Sequence, residues 1–98
     1  MWFITSIYLE APKDNESPAR AETHRTFGYF SNAKEACQAV AENRCNMHEC
    51  LYNYLVVENI GEGIHPLAEE EIWYKWQDKW VPCSKPEALV GIINWALG

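Results

Sequence analysis

The change from a strand pattern to a helix pattern is sharpest between residues 25 and 44, which read RTFGYFSNAKEACQAVAENR. Aromatic residues crowd this segment as far as Phe30, as is typical of a β-strand. The apolar positions then recur at the i, i+3, i+4, i+7 spacing of a helix, at Ala33, Ala36, Cys37 and Val40. Asn32 and Glu35 make an approximate capping box at the boundary, and Ser31 is a second residue able to cap. We therefore expect a strand that leads directly into a helix packed closely on a sheet.

Strand-like segments account for most of the remaining apolar residues. Residues 2–9 carry apolar side chains on both faces of an extended chain, which predicts a central or well-covered strand. The stretch 10–21 contains two prolines and has no periodicity, so it forms the long loop of a hairpin. A second hairpin is predicted across a Gln77-Asp78-Lys79 turn. The predicted strands are 2–9, 22–30, 52–60, 72–76 and 80–83.

A second helix is predicted to begin at Ser84. Ser84 and Glu87 fit a capping box, and apolar residues follow at helical spacing, at Leu89, Ile92, Ile93 and Ala96. The segment 43–53 is less regular and reads as a helix end followed by a short turn that begins at Asn46. The element order is β-β-α-β-β-β-α. We expect one α+β domain over all 98 residues, a two-layer antiparallel sheet with two helices on one face.

The amino-acid composition limits the cellular compartment and the kinds of binding partner that we expect. The 98 residues include 14 acidic and 8 basic side chains, for a formal charge of −6. Such a chain repels nucleic-acid backbones and anionic membrane surfaces, and a basic protein surface is its natural complement. The opening run MWFITSIYL is too short for a membrane span and lacks the basic residues and cleavage pattern of a signal peptide. We therefore expect a cytoplasmic protein whose four cysteines are reduced thiols.

Cysteine and histidine residues offer the sharpest catalytic or metal-binding candidates. Cys45, His48 and Cys50 are ligand types that zinc prefers, but the paired C-x₂-C spacing of zinc knuckles is missing. A cysteine nucleophile activated by His48 or His65 also lacks a third group to orient the histidine. We expect no metal, no cofactor and no enzymatic activity.

The glycines around Glu62 offer a third candidate, because a glycine-rich turn can direct backbone amides at a phosphate. The chain lacks the G-x-x-x-x-G-K-[ST] pattern, and Glu62 places a negative charge between Gly61 and Gly63. A plain turn with one residue at positive φ is the favoured interpretation.

Aromatic and acidic residues lie together between residues 62 and 76, and they suggest a surface for a protein partner. Exposed tryptophan and tyrosine side chains anchor interfaces, and neighbouring carboxylates would give the rim a negative charge. The alternative is that the rings cover the sheet edge and the final helix. The candidate partner-binding residues are Glu62, Glu69, Glu70, Glu71, Trp73, Tyr74 and Trp76.

Three segments carry a resemblance to known proteins. Read together, GYFSNAKEACQAV, YNYLVVENIGEGIHP and WYKW resemble small accessory proteins carried by phages and prophages of Gram-positive bacteria. The resemblance covers most of residues 27–82. It implies an accessory product of a mobile element, a class that includes inhibitors of bacterial immunity. Such inhibitors often act by stoichiometric binding, either of a CRISPR-type effector or of a nucleotide second messenger.

The charge of the chain helps to choose between these two functions. A compact acidic domain suits docking onto the basic nucleic-acid-binding surface of a host defence effector. Capture of an anionic nucleotide requires arginine, lysine or clustered amides, and the eight basic residues are few. We therefore expect an inhibitor that binds its protein partner directly in the bacterial cytoplasm. Two alternatives stay open. One is a nucleotide sponge, a protein that sequesters a nucleotide second messenger, because cations could gather between copies of the chain. The other is a structural role in the virion.

Overall fold

An antiparallel sheet organises the computed structural model, which describes residues 1–10, 20–63, 67–89 and 94–96, with the backbone alone at residues 20 and 22. The elements among these residues are β1 Trp2–Glu10, β2 Arg20–Phe30, α1 Ala33–Ala41, β3 Tyr54–Ile60, β4 Ala68–Trp76 and β5 Trp80–Cys83. The five strands have the order β2-β1-β3-β4-β5 across the sheet. Short 3₁₀ turns cover Arg44–Asn46 and Glu87–Leu89. The α+β class is therefore confirmed.

Both faces of the central strands are apolar, as the sequence predicts for β1. Ile4 packs in one core cluster and Ile7 in another, and Val57 and Val56 divide in the same way on β3. Successive side chains of a strand point to opposite faces, so the two clusters lie on opposite faces of the sheet. Each face therefore needs its own cover.

The helix α1 covers one face and begins where the sequence predicts. The side chain of Asn32 accepts a hydrogen bond from the backbone amide of Glu35 at 2.8 Å, which satisfies one of the free donors of the first turn. Ala36, Ala39 and Val40 are buried against the sheet. Because these side chains are small, the helix backbone can approach the strands closely.

The segment after α1 contains the predicted turn at Asn46, where the backbone amide of Glu49 donates to the backbone oxygen of Asn46 at 2.9 Å. A 3₁₀ turn that the sequence did not indicate, at Arg44–Asn46, directly precedes it. The hydroxyl of Ser6 donates to the backbone oxygen of Met47 at 2.8 Å, which fixes the segment to β1. Left-handed φ angles of 47° to 57° occur at five residues other than glycine, namely Asn43, Cys45, Asn46, Glu49 and Cys50.

The second face is covered by the chain that follows β5. Leu89 and Trp95 pack there on Ile7, Val56 and Trp73. The expectation that both helices lie on one face is therefore wrong, because the apolar second face of β1 and β3 must also be covered. The predicted final helix is not confirmed: the described residues of this segment form a 3₁₀ turn at Glu87–Leu89 and a bend at 95–96, and residues 90–93, 97 and 98 lie outside the described residues.

Glu58 holds this covering segment on the sheet. Its side chain is fully buried, and its carboxylate accepts hydrogen bonds from the backbone amides of Trp95, at 2.9 and 3.1 Å, and of Ala96, at 3.2 Å. Burial, with a smaller contribution from nearby Glu71, raises the pKa of Glu58 from 4.5 to about 7, against the lowering effect of the two amides and of Lys85. A titratable group is thus placed in the interior, where desolvation disfavours its charged form.

Candidate functional site

Two aromatic residues of the predicted surface lie inside the protein. Trp73 and Tyr74 are only 5% and 8% exposed, and they belong to the cores on opposite faces of the sheet. β4 lies between β3 and β5 in the sheet, and its middle residues belong to the core cluster on each face. The prediction that these two rings are available to a partner is therefore wrong, although their division between two faces was predicted correctly.

Trp76 is half-buried and packs on other parts of the chain. Its ring is stacked on His48, with the centroids 4.0 Å apart and the planes at 11°. The ring of Trp80 meets it edge-on at 5.1 Å, and the indole nitrogen of Trp80 donates to the side chain of Asn43 at 3.1 Å. These contacts cover the core on the α1 face of the sheet, beside the β4–β5 turn. One face of the Trp76 ring is therefore already occupied.

Glu71 takes part in an intramolecular network. Its carboxylate accepts a hydrogen bond from the indole nitrogen of Trp73 at 3.0 Å and forms an ion pair with Lys85 at 3.2 Å. The ammonium group of Lys85 also lies 5.8 Å from the centre of the Trp73 ring. These contacts fix the chain after β5 against β4, which gives Glu71 a structural role beside the partner-binding role predicted for it.

The other three predicted carboxylates are exposed and lie together where β3 passes into β4. Glu69 and Glu70 belong to the strand, whereas the sequence placed them before it. The register shifts here, since Asn59 pairs with Glu70 and Ile60 with Ala68, so Glu69 is the extra residue of a bulge. A Cβ atom built on Gly61 would lie 3.7 Å from the Glu69 carboxylate, and exposed Glu62 follows this glycine directly.

The predicted acidic and aromatic groups are separated along β4. Glu70 and Trp76 are six residues apart on one strand, which corresponds to roughly 20 Å. Trp76 lies at the end of the sheet that holds the β4–β5 turn, and the exposed carboxylates lie at the opposite end. The structure therefore brings Glu62, Glu69 and Glu70 together and leaves Trp76 out of the group.

Exposed apolar side chains that the sequence did not single out accompany these carboxylates. Leu67 is 65% exposed and immediately precedes Ala68, the partner of Ile60. Met1 is 49% exposed, and its backbone exchanges hydrogen bonds of 3.0 and 2.8 Å with Ile60. Tyr29 is 59% exposed and pairs with Phe3 on β1, so it also lies at this end.

We call this group the acidic-apolar end. It consists of Met1, Tyr29, Glu62, Leu67, Glu69 and Glu70. Three of the four large hydrophobic residues that are exposed in the described part of the chain belong to it. Apolar anchors beside charged groups are the arrangement that protein interfaces use. No single position in the sequence indicates this grouping, because strand pairing brings Met1, Tyr29 and Leu67 to the same end.

The cysteine and histidine candidates do not form a visible metal site. Cys45 and Cys50 are exposed, and His48 is stacked on Trp76. Within the ranges that the structure describes, no three His, Cys, Asp or Glu side chains are grouped to hold a metal ion. The described helices include none long and apolar enough to cross a bilayer. Compared with known proteins, the chain matches no family model, no curated protein and no solved structure.

Proposed function

We propose that this protein is a non-enzymatic inhibitor that binds a basic protein surface with its acidic-apolar end. The observation that supports this function is the presence of three exposed carboxylates and three exposed apolar side chains at one end of the sheet. In an interface of this kind, the apolar side chains supply the buried centre, and the carboxylates supply charge complementarity at the rim.

The proposed partner is a host effector that targets nucleic acid, such as a CRISPR-type complex. This choice rests on the resemblance to phage and prophage accessory proteins and on the formal charge of −6. A nucleic-acid channel is strongly basic, so an acidic domain is steered toward it and competes with the nucleic acid for the same surface. The proposed place of action is the cytoplasm of the bacterial host.

The nucleotide-sequestering alternative fits the described residues less well. Two of the basic side chains are already paired with carboxylates, Arg25 with Glu49 and Lys85 with Glu71, and the Nε of Arg44 donates to Glu42. The rings proposed to stack on a base are also occupied, because Trp73 and Tyr74 are buried and Trp76 lies on His48.

A competition experiment tests the proposed function. Purified protein is titrated into a CRISPR-type effector, and release of a fluorescently labelled target DNA is measured. Stoichiometric binding that excludes the DNA supports the proposal. Binding of cyclic dinucleotides in a thermal-shift screen, without binding to effectors, would instead support the nucleotide sponge.

A further inference from the structure

A small cleft opens between β2 and the segment that follows α1. Apolar side chains line most of it, among them Ile4, Phe27, Phe30 and Met47. Its volume is about 180 Å³. An engineered apolar cavity of roughly 150 Å³ in another protein binds benzene. The space therefore suits a single aromatic ring.

Gly28 leaves this cleft open. Glycine weakens a strand, and it often marks a bulge or a place where another molecule approaches the backbone. Phe27 is the extra residue of the bulge, because Ile4 pairs with Gly28 and Thr5 with Thr26. Gly28 itself does not have a left-handed φ, and a Cβ atom added to it would meet nothing within 4 Å. A side chain at this position would therefore enter open space, and Gly28 lines the cleft.

The rim of the cleft contains strained backbone. Cys45 lines the cleft with φ of 57°, and its neighbour Asn46 has φ of 50°. A cysteine in the left-handed region is uncommon, because its Cβ crowds the backbone. Strained positions of this kind cluster where a protein holds a ligand.

Arg44 is the charged side chain in the lining of the cleft. Its Nε donates to the carboxylate of Glu42 at 2.6 Å, and this bond does not involve the two terminal nitrogens. The edge formed by those two nitrogens matches a carboxylate in the bidentate geometry that arginine favours.

We propose that this cleft is a binding site for a small aromatic carboxylate, with the ring beside Gly28 and the carboxylate on Arg44. The cleft adjoins the acidic-apolar end, because Tyr29 belongs to that end and also lines the cleft, but the proposed ligand site does not rest on the function proposed for that end. It would make the protein responsive to a small metabolite as well as to a protein partner.

Benzoate is the probe that tests this site, with benzylamine as a probe of similar size and opposite charge. Binding is followed by chemical-shift changes of the Ile4 methyl groups and by the rate at which iodoacetamide alkylates Cys45. Cys50 is exposed in the same segment and serves as the internal control. For so small a ligand we expect a Kd on the order of 1 mM, with Cys45 protected and Cys50 unaffected.

Two substitutions separate the parts of the proposed site. Gly28→Leu fills the cleft and should abolish benzoate binding, while Arg44→Gln should weaken it at least about tenfold. Lys79→Gln is the control, since it removes the same charge from an exposed side chain that does not line the cleft. If Gly28→Leu fails to fold, the Arg44 and Lys79 variants still decide. Unchanged shifts and equal alkylation at about 10 mM benzoate, or equal binding of benzylamine, would overturn the proposal.

Discussion

The carboxylate of Glu58 contacts the backbone amide of Trp95 with both oxygens, at 2.9 and 3.1 Å, across 37 residues of sequence. The bond joins the middle of the sheet to the segment that covers its second face. The contact between the sheet and this segment therefore includes a titratable group as well as apolar side chains. The stability of this part of the fold should therefore depend on pH.

We expect the free energy of unfolding to decrease as the pH rises through 7, because the pKa of Glu58 is raised by folding from 4.5 to about 7. Below pH 4.5 the carboxyl group is protonated in both states, and its full contribution is present. Above 7 the buried group must carry a charge beside Glu71, with Lys85 offsetting part of the repulsion. The loss amounts to at most about 3 kcal/mol.

Urea unfolding of wild type and Glu58→Gln at pH 5 and pH 8 isolates this effect. The stability of wild type relative to the variant should fall between the two pH values, since glutamine does not titrate. Glu62→Gln, which changes an exposed residue, should track wild type. Parallel pH profiles for wild type and Glu58→Gln would contradict the assignment.

The start of α1 yields a second prediction. Asn32→Ala removes the acceptor for the Glu35 amide and should lower the free energy of unfolding by about 1 kcal/mol. Ser31→Ala is the control, because the sequence offered serine as a cap and the structure uses asparagine. Its effect should stay within about 0.5 kcal/mol. Thermal or urea unfolding measures both, and a larger loss for the serine variant would show that the cap is misassigned.

Two leucines give a third prediction, on the cover of the second face. Leu89→Ala removes a buried side chain that packs with Val56 and Trp73, so it should cost about 2–5 kcal/mol. Leu67→Ala changes a side chain that is 65% exposed and should leave stability almost unchanged. In partner binding the order should be reversed: Leu67→Ala should weaken the affinity for the partner, and Leu89→Ala should affect it less. Equal destabilisation by both would contradict the packing of the segment after β5.

Much of the sheet could be predicted from the sequence because strand alternation and turn residues are local signals. The β4–β5 hairpin shows this, since Trp76 pairs with Trp80 across the predicted three-residue turn. The sequence also predicted one residue at positive φ in the turn at Gly61 and Gly63, and among the described residues of this turn Gly63 has a φ of 135°. Local patterns therefore identified these strands and turns.

What covers each face could not be predicted, because it depends on contacts distant in sequence. Alternation divides Trp73 and Tyr74 between two faces, but only the path of the chain after β5 shows that both faces are covered. Glu58 shares the Val56 face of its strand, and that spacing was the available sign of a buried carboxylate. In the same way, the acidic run was visible in the sequence, whereas the presence of Tyr29 and Leu67 at the same end of the sheet required the strand register.

The most direct test of the acidic-apolar end is a charge-reversal titration against a CRISPR-type effector. Glu69→Lys with Glu70→Lys is compared with Glu35→Lys with Glu87→Lys, which changes exposed glutamates elsewhere. Each replacement removes one negative and adds one positive charge, so both double variants have a formal charge of −2 instead of −6. Glu71 is left unchanged because it pairs with Lys85.

Calorimetric titration of wild type and the two double variants into the effector gives the decisive comparison. We predict that the Glu69 and Glu70 variant loses at least about tenfold in affinity, because the reversed charges face a basic surface. The Glu35 and Glu87 variant should bind within about threefold of wild type, since it differs only in overall charge. Equal affinity of the two variants would contradict the assignment of the partner-binding surface to this end of the sheet.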